Sequence, residues 1–237
     1  MSGRGEQQGF DYVIVGAGSA GCTLAARLTE DPSVTVALIE AGGKDNSLLM
    51  RMPAGVGGLL KQKGAYNWGF WTVPQAHMDN RRLYWPRGKG WGGSSSINGM
   101  LYVRGHASDY DQWRQMGLKG WSYEDVLPYF KKSETHTGGE SEFHGGSGPL
   151  NVSDSPMEDE LYGAFIEAGK QAGYPYTPDF NGAQQEGVGP YQRTIHDGER
   201  WSTSFAFLRP ALGRPNLTVI STGKVTKVLI EKGKAVG

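Results

Sequence analysis

The feature that most constrains this chain is an apolar run, Tyr12, Val13, Ile14 and Val15, that meets three glycines spaced G-x-G-x-x-G at Gly16, Gly18 and Gly21. An extended apolar run that ends at glycine and passes into helix-forming residues reads as strand, tight turn and helix start. Gly16 lets the chain reverse sharply, Gly18 lets backbone N–H groups close on a pyrophosphate, and Gly21 lets the helix pack on the strand. Ser19 and Ala20 lie in the first helical turn, where unpaired N–H groups and the helix dipole favour an anion.

A glycine motif alone is also compatible with an ordinary turn, so its context decides. Leu24, Ala25, Ala26 and Leu28 are helix formers, Asp31 and Pro32 end the helix, and residues 34–39 form a second apolar strand that closes on Glu40 and Ala41. Glu40 lies 40 − 21 = 19 residues past the last glycine. That is close to the spacing at which an acid receives the ribose hydroxyls of an adenosine, which disfavours a 2′-phosphorylated cofactor. The whole β-α-β unit predicts a dinucleotide site.

The formal net charge is zero, from 24 basic and 24 acidic residues, which gives no electrostatic reason to expect nucleic acid as a partner. Cys22 is the only cysteine, so neither an internal disulfide nor a cysteine zinc site is expected. The polar opening, residues 1–9, reads as a disordered tail without a signal core, and no apolar run is long enough to span a bilayer. The cytoplasm is the expected compartment, with a peripheral place at the inner membrane face compatible with it.

Residues 51–84 form a long passage rich in aromatics, including Tyr66, Trp68, Phe70, Trp71 and Tyr84, read either as ordinary loop packing or as a cover over a flat cofactor. A second glycine-rich stretch follows: Arg87, Gly88, Lys89, Gly90, Trp91, Gly92, Gly93, then Ser94, Ser95, Ser96, Ile97, Asn98, Gly99, Met100 and Leu101. Gly92 and Gly93 would admit close backbone approach, the serines would cap a helix start, and Arg87 and Lys89 would bring positive charge to phosphates.

Taken together, the two stretches resemble the glucose–methanol–choline family of FAD-dependent oxidoreductases. The first is similar to its nucleotide fingerprint and the second to its first signature, and the resemblance runs from Phe10 onward. Within the family the chain looks most like bacterial alcohol and choline dehydrogenases, through Tyr66, Asn67 and Trp68, through 85–89, through 93–100 and through 102–106. The resemblance implies that Gly92 to Asn98 and the backbone of Gly99, Met100 and Leu101 lie along flavin and pyrophosphate, with Glu40 on the ribose and Val225 at the adenine. It implies FAD bound without a covalent link, because Ile97 stands where some relatives carry the attaching histidine.

The expected fold is α/β: a Rossmann-like FAD-binding domain with an inserted α+β substrate-binding domain, truncated. The expected boundaries are 10–50, 85–155 and 210–237 for the FAD-binding domain and 156–209 for part of the substrate domain. A helix capped by Ser122, short or bent at Pro128, is predicted, and another starts at Ser155, with Leu161, Phe165, Ala168 and Ala172 facing the core. His136 and His144 lie in a polar loop and are read as solvated surface rather than metal ligands, and His196 beside Asp197 as an exposed turn. Two β-rich runs, 217–222 and 225–230, end the chain.

The implied reaction is oxidation of a small alcohol, with oxygen or a quinone as electron acceptor. The family's catalytic base is a histidine in a C-terminal portion that has no counterpart here, so no catalytic residue is assigned and no metal is expected. The partner supplying it would be a C-terminal segment or a second chain. Two alternatives stay open: a non-catalytic FAD-binding fragment or half of a two-chain assembly, and a nicotinamide-dependent dehydrogenase.

Overall fold

The computed structural model describes residues 9–61 and 63–237, so most of the expected tail lies outside the described residues. The described residues form two compact units, one within 9–98 and 202–237 and the other 99–201. These packing boundaries differ from those expected from sequence, because residues 99–155 pack with 156–201.

The first unit is built on a parallel sheet of β1 (Tyr12–Val15), β2 (Val36–Ile39) and β3 (Leu217–Ile220), with β2 in the middle. Tyr12 pairs with Val36, and Val36 with Leu217. Central β2 is buried at Val36, Ala37 and Leu38, whereas β1, with one strand neighbour, leaves Val13 and Val15 exposed. Helix α1 (Ser19–Leu28) buries its small residues Gly21, Cys22, Ala25 and Ala26, which lets it lie close to its neighbours. It meets a π-helical turn, Ser204–Leu208, whose Ala206, Phe207 and Leu208 are buried. The aromatic passage forms an antiparallel ribbon of Phe70–Trp71 with Tyr84–Trp85. Of the second terminal β-rich run, only Ile230 enters a strand, in a short hairpin with Lys234–Ala235.

In the second unit, α2 (Ala107–Gln115) packs beside α3 (Tyr123–Ser133) through Tyr110, Trp113 and Phe130. Helix α3 is longer than predicted, running 11 residues through Pro128. Its capping box is complete: Asp125 N–H donates to Ser122 Oγ at 3.3 Å and Ser122 N–H to Asp125 Oδ2 at 3.0 Å. Helix α4 (Glu160–Gln171) starts later than Ser155, because Asp159 is the residue that accepts from the Leu161 N–H. The face predicted to be core is instead exposed, with Leu161 at 75% and Phe165 at 73%. His196 and Asp197 sit at an exposed hairpin tip, as the turn reading expects.

The two loop histidines depart from the solvated reading. Both are buried, and their rings lie with centres 4.1 Å apart and planes tilted by 30°. His144 Nε2 lies 2.8 Å from Asp179 Oδ2, and Nδ1 lies 3.1 Å from both oxygens of Glu134. Glu134 is fully buried and also accepts from Arg104 Nη2 at 2.9 Å and from the Gly145 N–H at 2.9 Å. Among the described residues no group of three or more His, Cys, Asp or Glu is arranged to hold a metal.

Burial alone would lower the His144 pKa, but hydrogen bonds to Asp179 and Glu134 outweigh it and raise the value to about 9. The folded protein therefore binds a proton more tightly than the unfolded chain, whose histidine sits near 6.5. That contribution is complete below pH 6.5 and is lost as pH rises through about 9. Unfolding midpoints are expected to fall across this window, and His144→Gln to remove most of the slope.

Candidate dinucleotide site

The strand ends of the first unit open onto a cavity of about 520 Å³. Its floor is made by two glycine turns that interlock. After β1 the chain reverses at Gly16, whose φ is +96°, and reaches Gly18, the residue that precedes α1 and carries no side chain to cap it. The first-turn N–H groups of α1 are left without intrahelical partners by helix geometry. In the second turn Gly92 N–H donates to the Ala17 carbonyl at 2.7 Å, and Gly93, at φ +52°, lies against Gly18. A Cβ on Gly93 would stand 2.7 Å from Gly18 Cα.

Glu40 binds these turns together. Its Oε2 accepts from the Ala17 N–H at 2.8 Å, and its Oε1 from Gly42 N–H at 2.7 Å and Gly90 N–H at 3.0 Å. Gly42 and Gly90 approach so closely that a Cβ on Gly42 would be 2.4 Å from Gly90 N. The three serines do not cap a helix start. Ser94 Oγ accepts from Gly88 N–H, Ser95 Oγ donates to the Gly92 carbonyl and Ser96 Oγ to the Trp91 carbonyl, so they fold the turn back on itself. Ser95 Oγ also accepts from the Thr203 N–H at 3.1 Å, which anchors the second turn to the start of the π-helical turn.

The cavity brings together Gly16, Gly18, Ser19, Glu40 and Ala41 from the first β-α-β unit with Trp68 from the aromatic passage, Arg87, Gly88, Gly93 and Ser94 from the second glycine-rich stretch, and Val225 from near the end of the chain. Ala20 and Gly21 do not line it, and Gly21 is the close-packing glycine: a Cβ there would be 1.9 Å from the Gly16 oxygen. Gly92 shapes the turn without lining the cavity, and Asn98 N–H donates to the Ser94 carbonyl. Gly99, Met100 and Leu101 belong to the second unit and do not line it.

Val15, Ile39, Gly223 and Lys224 line the cavity without having been predicted, and Phe70 lines it from the passage read either as loop packing or as a cofactor cover. Val15 and Ile39 are the last residues of β1 and β2, so the rule that ligands bind outside the carboxyl ends of parallel strands would have found them. Phe70 stacks on Trp68, with ring centres 5.7 Å apart and planes at 9°. Lys89 does not reach the cavity wall; its ammonium sits over the Trp68 ring at 5.1 Å.

Residues 10–237 match the family model described as GMC oxidoreductase. The chain belongs to the GMC oxidoreductase family. Choline dehydrogenase, mitochondrial, of Mus musculus is 51% identical over 96% of this chain and 39% of its own length. The oxygen-dependent choline dehydrogenase of Sinorhizobium fredii is 50% identical over 96% of this chain and 41% of its own length. Among solved structures, pyridoxine 4-oxidase from Mesorbium loti superposes with a TM-score of 0.90 at 37% identity, over 96% of this chain and 45% of that one. An FAD-dependent oxidoreductase from Chaetomium thermophilum gives 0.87 at 32% identity, over 97% and 41%. The chain thus spans about two fifths of the length of the curated relatives it matches.

The GMC cavity fits a dinucleotide by its own chemistry. Its glycine floor keeps side chains away from the backbone donors of α1, a flat aromatic pair forms one wall, and Arg87 and Lys224 set two cations on its rim. An extended, anionic, partly aromatic ligand matches all three.

Proposed function

We propose that this chain is the FAD-holding part of an enzyme that oxidises an alcohol CH–OH to an aldehyde or ketone. The observation that carries the reading is the cavity where two interlocked glycine turns meet an uncapped helix start, in a chain of the GMC family. The flavin, when bound, supplies the acceptor of a hydride from the alcohol carbon. The chain's own residues bind and orient it. The first-turn N–H groups of α1 would receive its pyrophosphate, Arg87 and Lys224 would add positive charge, and Trp68 with Phe70 would offer an apolar wall.

Binding without a covalent link is part of the proposal. Ile97 carries no nucleophile and is buried with Met50 and Leu59. The base that removes the hydroxyl proton is placed outside these 237 residues. None of the five histidines lines the cavity: His144 is committed to the buried ion network, His136 Nδ1 accepts from the Gly138 N–H, His106 accepts from the Ser108 N–H at the start of α2, His196 is paired with Asp197 on the surface, and His77 lies in the loop passage between the ribbon strands. Choline is the first substrate to test and oxygen the first acceptor, since relatives about 50% identical are described as oxygen-dependent choline dehydrogenases.

The purified protein is expected to carry a visible flavin band that acid precipitation releases into the supernatant. In these 237 residues alone the band is expected to persist, and in a longer form that includes the portion supplying the base it is expected to bleach when choline or another alcohol is added without oxygen. Flavin retained in the pellet would refute the non-covalent reading. Bound flavin that no alcohol bleaches in the longer form would favour a non-catalytic flavin-binding chain, and absence of any chromophore would favour a nicotinamide enzyme.

A further inference from the structure

The acid at the end of β2 is expected from its spacing to receive ribose hydroxyls. Its surroundings give it a second task. An ionised carboxylate has about four acceptor sites, and three backbone N–H groups of this chain already occupy Glu40: Ala17 from the first glycine turn, Gly42 from the loop after β2, and Gly90 from the second glycine stretch, 50 residues away. Its main chain adds two ties to the end of β3, donating to the Ile220 carbonyl and accepting from the Gly223 N–H, both at 2.9 Å. The side chain is 6% exposed.

We infer that Glu40 is a positioning residue that sets the second glycine turn against the first, so that it governs binding of the whole nucleotide and not of the ribose alone. The inference rests on the dinucleotide reading of the cavity. Removing the carboxylate charge frees Gly90 from Ala17, and the Gly93 contact with Gly18 then loses its registration.

The test compares ADP with 2′,3′-dideoxy-ADP, which lacks both ribose hydroxyls, by calorimetric titration of nucleotide-free wild type and Glu40→Gln. The amide side chain turns one carboxylate oxygen into a donor facing an N–H. Hydrogen bonds to a charged acceptor are worth enough that both ligands, dideoxy-ADP included, should weaken by roughly ten- to a hundredfold. If only ADP weakens while dideoxy-ADP binds wild type and variant equally, Glu40 acts through the ribose and the inference is overturned. Amide hydrogen exchange separates positioning from general loss of fold. In Glu40→Gln the N–H groups of Ala17, Gly42 and Gly90 should exchange faster while those of β2 stay protected; faster exchange throughout would overturn positioning.

Wild type alone also tests it, should the variant not fold. Without nucleotide the three amides should already be protected, and free exchange there overturns the inference. Failure of wild type to bind ADP at all would instead refute the dinucleotide reading, leaving the exchange result to judge Glu40's hold on the turns.

Discussion

Gly21→Ala should abolish flavin binding while leaving much of the second unit intact. A Cβ at this position stands 1.9 Å from the Gly16 carbonyl oxygen and 3.3 Å from Ile14 Cγ2. The oxygen cannot swing aside cheaply, because the Gly16 N–H is held by the Ile39 carbonyl at 2.7 Å. Either α1 lifts off β1 or the glycine turn opens, and both destroy the cavity floor. The cost should reach or exceed the upper end of the about 1–3 kcal/mol typical of overpacking. Flavin content of the purified protein should fall at least about tenfold, the factor that corresponds to about 1.4 kcal/mol. Gly57→Ala is the control: a Cβ there meets nothing within 4 Å, and normal flavin content is expected. Equal loss in both variants would show that the close packing at Gly21 is not the cause.

The second large effect is expected at Arg104. Its guanidinium pairs with Glu134 with both side chains almost wholly buried, at 3% and 0% exposure. Another of its nitrogens donates to the Phe143 carbonyl at 2.7 Å, and its ring neighbour is Phe130 at 5.1 Å. Arg104→Ala leaves Glu134 charged and deprived of its strongest partner, so stability should drop by about 3–5 kcal/mol, read from the denaturant midpoint. A drop below about 1 kcal/mol would mean that His144 and the Gly145 N–H suffice to hold the carboxylate. Charge burial and not hydrophobic packing then decides this part of the second unit.

What was legible in the sequence was local. The turn at Gly16 and Gly18, the acid at 40 and the second glycine pair depend on backbone reversals that a few neighbouring residues impose, and the cavity joins them. The misreadings have the opposite character. His144 looks solvated in a run of glycines and polar residues, yet its partner Asp179 is 35 residues distant, and Glu134 draws Arg104 from 30 residues away. The serines after Gly93 look like caps, but two of them donate to carbonyls on the preceding residues of the same turn. Ser155 and Pro156 look like a helix start, and Asp159, closer to the helical residues, takes the capping role. In α4 the periodicity of Leu161 and Phe165 is real, but periodicity names a face without naming its cover.

Strand β1 carries a practical consequence. It lies at the edge of its sheet, with Val13 57% and Val15 56% exposed. A short apolar strand with one bare side is a template for any other extended chain. Preparations of these residues alone should self-associate as concentration rises. A charged substitution at Val13 should suppress that association while sparing the cavity, whose lining takes only Val15 from this strand.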